Sequence, residues 1–174
     1  MKKIIFTALA LSLFALGAYA QTPKANISGG YSDLHLNGSG GAPGVNLNGF
    51  NAAAGFNANR WLGLEADFGL YHGSPSGVGL TATSYTFGPR FSFRATGMFV
   101  PYVQALVGGS HFSAAGVTSN PFAYAFGGGT QISIAGDGKI ALQPEFEYMG
   151  FRSNGSTENS ERFSVALVYH IGGK

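Results

Sequence analysis

The chain has 174 residues, of which only 10% are charged, 14% are aromatic, 28 are glycine and none is cysteine. A soluble domain carries about 25–35% charged residues on its surface, so a water-facing globule fits poorly. No basic stripe marks a nucleic-acid partner, and a fold built on disulfides is excluded.

In chain order, residues 1–20 come first, MKKIIFTALALSLFALGAYA. Lys2 and Lys3 precede an apolar run from Ile4 to Leu16, interrupted only by Thr7 and Ser12. Ala18-Tyr19-Ala20 is a small-x-small cleavage site before Gln21. This pattern is that of a secretory signal peptide, and no cysteine is available for a lipid anchor. One domain, residues 21–174, is expected to remain. Removal of Lys2 and Lys3 reduces ten basic residues to eight, which balance the eight acidic ones. Nothing in that domain has the ~20 continuous apolar residues of a spanning helix. An exported, lipid-like chain that must cross a membrane without helices has one option, a closed β-barrel.

Eight segments with period-2 alternation follow, at 25–36, 46–58, 60–72, 83–95, 99–112, 122–135, 139–151 and 161–172. In the first, Ile27, Gly29 and Tyr31 face outward, with Asp33 near the headgroups. The third separates Leu62, Leu64, Ala66, Phe68 and Leu70 from Gly63, Glu65, Asp67 and Gly69. The fourth separates Tyr85, Phe87, Pro89, Phe91 and Phe93 from Thr86, Gly88, Arg90, Ser92 and Arg94. The seventh places Ile140, Leu142, Pro144, Phe146 and Tyr148 opposite Ala141, Gln143, Glu145 and Glu147. The eighth places Phe163, Val165, Leu167, Tyr169 and Ile171 opposite Arg162, Ser164, Ala166, Val168 and His170. Pro89, Pro101 and Pro144 fall within segments and each removes a ladder donor, which predicts bulges or strand-end positions there.

The connections alternate in length. Those near Asn59-Arg60, at 95–98 and at Gly136-Asp137-Gly138 are short, and those at 37–45, 73–81, 113–121 and 152–161 are longer. That is the outer-membrane arrangement of short periplasmic turns and longer external loops, with both termini on the short-turn side. A soluble β-sandwich or lipocalin-like barrel would also alternate, with its apolar face inward. Against it stand the low charge and a non-apolar face made mostly of Gly, Ser, Ala and Asn. Aromatics also sit near strand ends, as in interfacial girdles. Trp61, Phe99 and Tyr102 lie near the short turns, and Tyr71, Tyr85, Phe122 and Tyr124 near the loops.

These features resemble the small eight-stranded outer-membrane barrels of the OmpA-like transmembrane domain group. The resemblance is carried by GGYSDL (29–34), GFNAAAGFNANRWLGLEADFG (49–69), FGPRFSF (87–93), PYVQALVG (101–108), FGGGTQISI (126–134) and FSVALVYHIG (163–172). It implies an all-β, up-and-down transmembrane barrel in the outer membrane of a bacterium. Lipid and lipopolysaccharide would be its surroundings, and the barrel assembly machinery and periplasmic chaperones its partners during biogenesis. Separately, a monomeric or weakly associated protein is expected. The closing strand ends in Gly-Gly-Lys rather than an aromatic, a departure from the usual assembly signal. The peptidoglycan-binding domain that follows the barrel in some relatives is not expected here.

The lumen is the candidate site. Glu65, Asp67, Arg90, Arg94, Glu145, Glu147 and Arg162 should all project into it, with Gln104 and Gln131. Buried charges must be paired or hydrated. An eight-stranded barrel is only wide enough for side chains to fill. A salt-bridged structural plug is therefore the leading reading, and a narrow gated ion path the alternative. Arg90 is expected to pair with Glu65 or Asp67, and Arg162 with Glu147. His111-Phe112-Ser113 has the His-x-Ser spacing of some barrel deacylases but no acidic residue in the next twenty, so no enzyme is expected. His35, His72 and His170 are scattered without metal-ligand spacing, and no cofactor is expected. The run Gly127 to Gly129 lacks the following Lys-Ser/Thr of a phosphate loop and reads as relief of crowding between strands. Surface recognition through the loops is a further alternative.

Overall fold

The computed structural model describes residues 22–38, 44–94, 98–153 and 155–172; the signal peptide read at 1–20 lies outside them. Nine strands form among the described residues: β1 (Ala25–Leu36), β2 (Val45–Asn57), β3 (Leu62–Gly73), β4 (Leu80–Ser92), β5 (Phe99–Ala114), β6 (Val117–Ser119), β7 (Phe122–Ser133), β8 (Ile140–Ser153) and β9 (Ser156–Ile171). All pairings are antiparallel. β1 to β5 pair in sequence, β5 with β7, β7 with β8, and β8 with β9. β9 then pairs with β1 over the whole length of β1, which closes the barrel. β6 pairs with β5 alone, so eight strands are staves and the ninth is an appendage. Closure leaves no stave with an open edge, the condition for placing backbone in hydrocarbon.

Alternation forms the staves and turns them inside out relative to a soluble protein. In β3, Gly63, Glu65, Asp67, Gly69 and Tyr71 are buried while Leu64, Ala66, Phe68 and Leu70 are exposed. β4 does the same from Ala82 to Ser92. The outer wall is a band of exposed apolar side chains, with Phe50 at 70% and Phe87 at 65% exposure.

Two of the longer connections are hairpins rather than loops. β5 continues to Ala114 and returns as β6 after Ala115-Gly116, whose φ values of 48° and 82° are both positive. That is the demand of a type I′ turn. β8 and β9 remain paired to their ends, Ser153 opposite Ser156. Most of the segment 152–161 is therefore strand. The Asn-Gly at 154–155 is the strongest short hairpin signal a sequence carries.

The prolines do not make bulges. In the β4–β5 pair, Phe87 faces Val107 and Arg90 faces Gln104, so the register is unchanged across Pro89. Only the rungs at Gly88 and Pro89 are missing. Pro144 sits in the same kind of gap, between Glu145 opposite Gly129 and Leu142 opposite Ile132. Pro101 lies near the start of β5, where its carbonyl accepts from Phe93 N at 2.8 Å.

Two residues assigned to the girdles lie inside. Tyr71 is 0% and Tyr102 2% exposed. Each is in phase with inward residues of its own strand, Tyr71 with Asp67 and Tyr102 with Gln104. Trp61 does sit on the wall, stacked on Phe91 with ring centres 6.0 Å apart.

Candidate functional site in the lumen

The inward faces of β3, β4, β5, β8 and β9 meet in the middle of the barrel. The Arg90 guanidinium lies 3.0 Å from Glu65 and 3.7 Å from Glu145. Its Nε donates to Gln104 Oε1 at 2.9 Å, and its plane covers the Tyr102 ring at 4.0 Å. Arg162 meets Asp67 at 2.5 Å and Glu145 at 3.2 Å, contacts Glu147, and donates to Tyr71 Oη at 3.1 Å. The Arg162–Asp67 contact joins residues 95 apart in sequence.

Glu145 is the hub. Its Oε1 receives Arg162 and, at 3.4 Å, the Ser164 hydroxyl. Its Oε2 accepts from Tyr102 Oη at 2.5 Å and from Gln104 Nε2 at 3.2 Å, and faces Arg90. Gln104 Nε2 also donates to Glu147 Oε1 at 2.7 Å, and Asn51 Nδ2 to Asp67 Oδ2 at 3.4 Å. Four carboxylates thus face two guanidiniums, and neutral donors supply part of the difference. Glu65, Asp67, Arg90, Glu145, Glu147 and Arg162 are each at most 5% exposed. Ions so deeply buried persist only with such partners.

Arg94 stands apart from this cluster. It lies two residues beyond the last residue of β4, at the short-turn mouth, where Nη2 donates to Asn57 Oδ1 at 3.4 Å. Its carbonyl accepts from Arg60 Nη2 at 2.9 Å. Among the described residues it meets no carboxylate, because the lumen carboxylates Glu65, Asp67, Glu145 and Glu147 sit deeper along their staves. Gln131 donates to Gln143 at 2.9 Å, separately from the ion pairs.

The loop-side half of the lumen has a different chemistry, which the sequence reading missed. Leu34, Leu47, Tyr71, Leu106, Met149 and Phe151 form one buried apolar cluster. Phe112 packs on Phe151 edge to face, centroids 5.0 Å apart. The signal was present: Met149 and Phe151 keep the phase of Gln143, Glu145 and Glu147, and Leu106 keeps that of Gln104. The sequence reading had given none of these residues a face.

The outward wall carries no assembled catalytic group among the described residues. Ser113 belongs to β5 rather than to a loop. His111 Nδ1 meets Asn120 Oδ1 at 2.7 Å, and no hydrogen bond joins His111 to Ser113. Nor do three or more His, Asp or Glu side chains gather there in a way that could hold a metal ion.

A closed barrel with an apolar wall and an ion-paired interior is matched by one family model, the outer membrane protein beta-barrel domain, over residues 6–170. The chain belongs to this family. It is an outer-membrane protein of a bacterium. Its fold is similar to that of Neisserial surface protein A, with a TM-score of 0.72 at 14% identity, covering 85% of this chain and 97% of that one. It is also similar to Ail, the attachment invasion locus protein of Yersinia pestis, with a TM-score of 0.56 at 18% identity, covering 84% and 99%. OprG from Pseudomonas aeruginosa aligns with a TM-score of 0.59 at 9% identity, covering 87% and 98%. No curated protein is similar enough in sequence to match.

Proposed function

We propose that this barrel is a non-conducting integral component of the outer membrane, a monomer whose interior is a two-part plug. Lipid and lipopolysaccharide surround it, and the barrel assembly machinery inserts it. The observation that carries this reading is the succession of two seals along the lumen. A lattice of ion pairs across four staves, bridged by hydrogen bonds from a fifth, is followed along the lumen by a packed apolar layer with Leu34, Leu47 and Met149 at 0% exposure. An ion path needs hydration along its whole length, and a packed apolar layer denies it. The wall is read as non-enzymatic, since His111 engages Asn120 and not Ser113.

Planar-bilayer recording of the purified, folded protein tests this. A silent bilayer is the expected result. Reproducible small openings that change in Glu65→Gln or Arg90→Ala would overturn it in favour of a low-conductance pore.

A second reading, surface recognition, is favoured by the β5–β6 and β8–β9 hairpins. They present paired backbone at the loop end where longer loops were expected. Ail has been crystallised with the heparin analogue sucrose octasulfate. In this chain the loop end sets Arg152 against Asp33, Glu158 and Glu161. That balance disfavours a polyanion, so a partner here would be neutral or cationic. Loss of binding after proteolytic trimming of the hairpins would support the reading. Binding that survives trimming would refute it.

A further inference from the structure

Charge is distributed along the barrel axis in a way the neutral total conceals. Among the described residues, the short-turn end carries Lys24, Arg60, Arg94 and Lys139 against Asp137, which is 3.7 Å from Lys139. The loop end is acidic and the lumen has more carboxylates than guanidiniums. Positive charge is therefore collected on the short-turn rim, the end that faces the periplasm in outer-membrane barrels. Trp61, stacked on Phe91 beside this rim, is the kind of aromatic that marks a membrane interface.

One part of the rim is concave. Thr22, Lys24, Phe56, Asn57, Asn59 and Arg60 line a cavity of about 540 Å³. Local structure holds it in shape. Asn57 N donates to the Lys24 carbonyl at 2.9 Å and Asn57 Nδ2 to the Pro23 carbonyl at 2.9 Å, which ties the start of β1 to the end of β2. The Asn59 carboxamide oxygen accepts from Trp61 N at 2.9 Å and from Leu62 N at 2.8 Å, so the group Asn59 retains for a ligand is its NH₂ donor. The bond from Arg60 to the Arg94 carbonyl fixes that guanidinium on the rim. Phe56 is 58% exposed and belongs to the lipid-facing wall. The cavity thus joins two cations, an amide donor and a hydroxyl to an apolar surface that runs into the bilayer.

We propose that this cavity is a binding site for an anionic phospholipid. The headgroup phosphodiester would sit between Lys24 and Arg60, and an acyl chain would run along Phe56. Three observations favour a lipid over a soluble anion: the site lies at the membrane interface, one wall is apolar, and that wall continues onto the hydrocarbon band. A guanidinium and an ammonium with added amide donors match phosphate oxygens in charge and in hydrogen bonding.

The test is native mass spectrometry of the protein purified from membranes and placed in nanodiscs of mixed phosphatidylcholine and phosphatidylglycerol. Phosphatidylglycerol should be retained preferentially. Each cation near an anionic bilayer surface changes binding by roughly fivefold, so Lys24→Gln and Arg60→Gln should each lower retention by about that factor. Lys139→Gln removes the same charge from another turn and should leave retention unchanged. Lys24 is an exposed side chain whose backbone makes the structural bonds, so Lys24→Gln tests the site without disturbing the turn. Equal loss in Lys139→Gln would mean diffuse rim charge and would overturn the site. No preference in the wild type would do the same. Inorganic phosphate that displaces phosphatidylglycerol at millimolar concentration would show a phosphate site without a lipid component and would overturn the assignment to lipid.

Discussion

The two halves of the lumen close the same barrel by opposite means. Toward the short turns, Arg90 and Arg162 hold four carboxylates together with bonds that have donors, acceptors and angles. Toward the loops, Leu34, Leu47, Leu106, Met149 and Phe151 fill the same cross-section mainly by volume. The charged half is specific but intolerant, because removal of one partner leaves the others buried and unpaired. The apolar half holds no ionised group to leave unpaired; its loss is graded with the volume removed. On the proposed plug reading, the two together make one narrow interior rigid in register and closed to water.

The largest effect should come from the charged half. Arg162→Met removes the guanidinium that serves Asp67, Glu145 and Glu147 together. Breaking a buried ion cluster from one side costs about 3–5 kcal/mol, so the urea midpoint of the folded protein in vesicles should fall by a corresponding amount. Adding Asp67→Asn and Glu147→Gln to Arg162→Met should recover much of that loss, because neutral partners need no counter-charge. A triple variant no more stable than Arg162→Met would show that the geometry of the lattice, and not its charge balance, is what matters.

Next in size is the apolar half. Leu106→Ala should cost about 2–5 kcal/mol, the usual range for a buried leucine whose site cannot fully collapse. Neighbours here are held on fixed staves, so little collapse is expected. Conductance separates the halves more sharply than stability does. Arg90→Ala alone should stay silent in a planar bilayer, because the layer above remains dry. Combining Leu34→Ser, Leu106→Ser and Met149→Ser with Arg90→Ala should admit water along the whole lumen and give openings. Current in Arg90→Ala alone would break the claim of two seals in series.

The same comparison explains what could be read in advance. The charged residues announced their direction, because Glu65 and Asp67 alternate with Leu64, Ala66 and Phe68, and a carboxylate has no place in lipid. Leu34, Leu106 and Met149 gave no such signal by type. An apolar side chain suits lipid and a dry lumen equally, and only its phase relative to a polar neighbour decides. Tyr71 and Tyr102 were misplaced for the same reason, since an aromatic near a strand end fits a girdle until its parity is followed. The pairing of Arg90 with Glu65 joins adjacent staves and follows from the inward phase. The role of Glu145 as hub does not, because alternation sets which face a residue takes but not its height on a tilted stave. Heights come from the stagger of the closed barrel, as in the contact of Arg162 with Asp67. Arg94 shares the phase of Arg90, yet its height puts it at the mouth, away from the lumen carboxylates Glu65, Asp67, Glu145 and Glu147.

The finest division between the halves is drawn by two tyrosines. Tyr102 donates to Glu145 Oε2 and lies under Arg90, wholly within the charged half. Tyr71 packs its ring in the apolar cluster and accepts from Arg162 at 3.1 Å. Removing a hydrogen bond to a charged group costs about 1.5–3 kcal/mol, and Tyr102→Phe should fall in that range. It deletes a donor to a hub carboxylate whose remaining donors are already shared. Tyr71→Phe keeps the ring in place and removes only one of several acceptors around Arg162, so about 0.5–1.5 kcal/mol is expected. Both values come from urea unfolding of the same vesicle-inserted protein. A larger loss in Tyr71→Phe than in Tyr102→Phe would mean that Arg162 depends on the seam between the halves more than on its carboxylates. The two seals would then be one coupled structure.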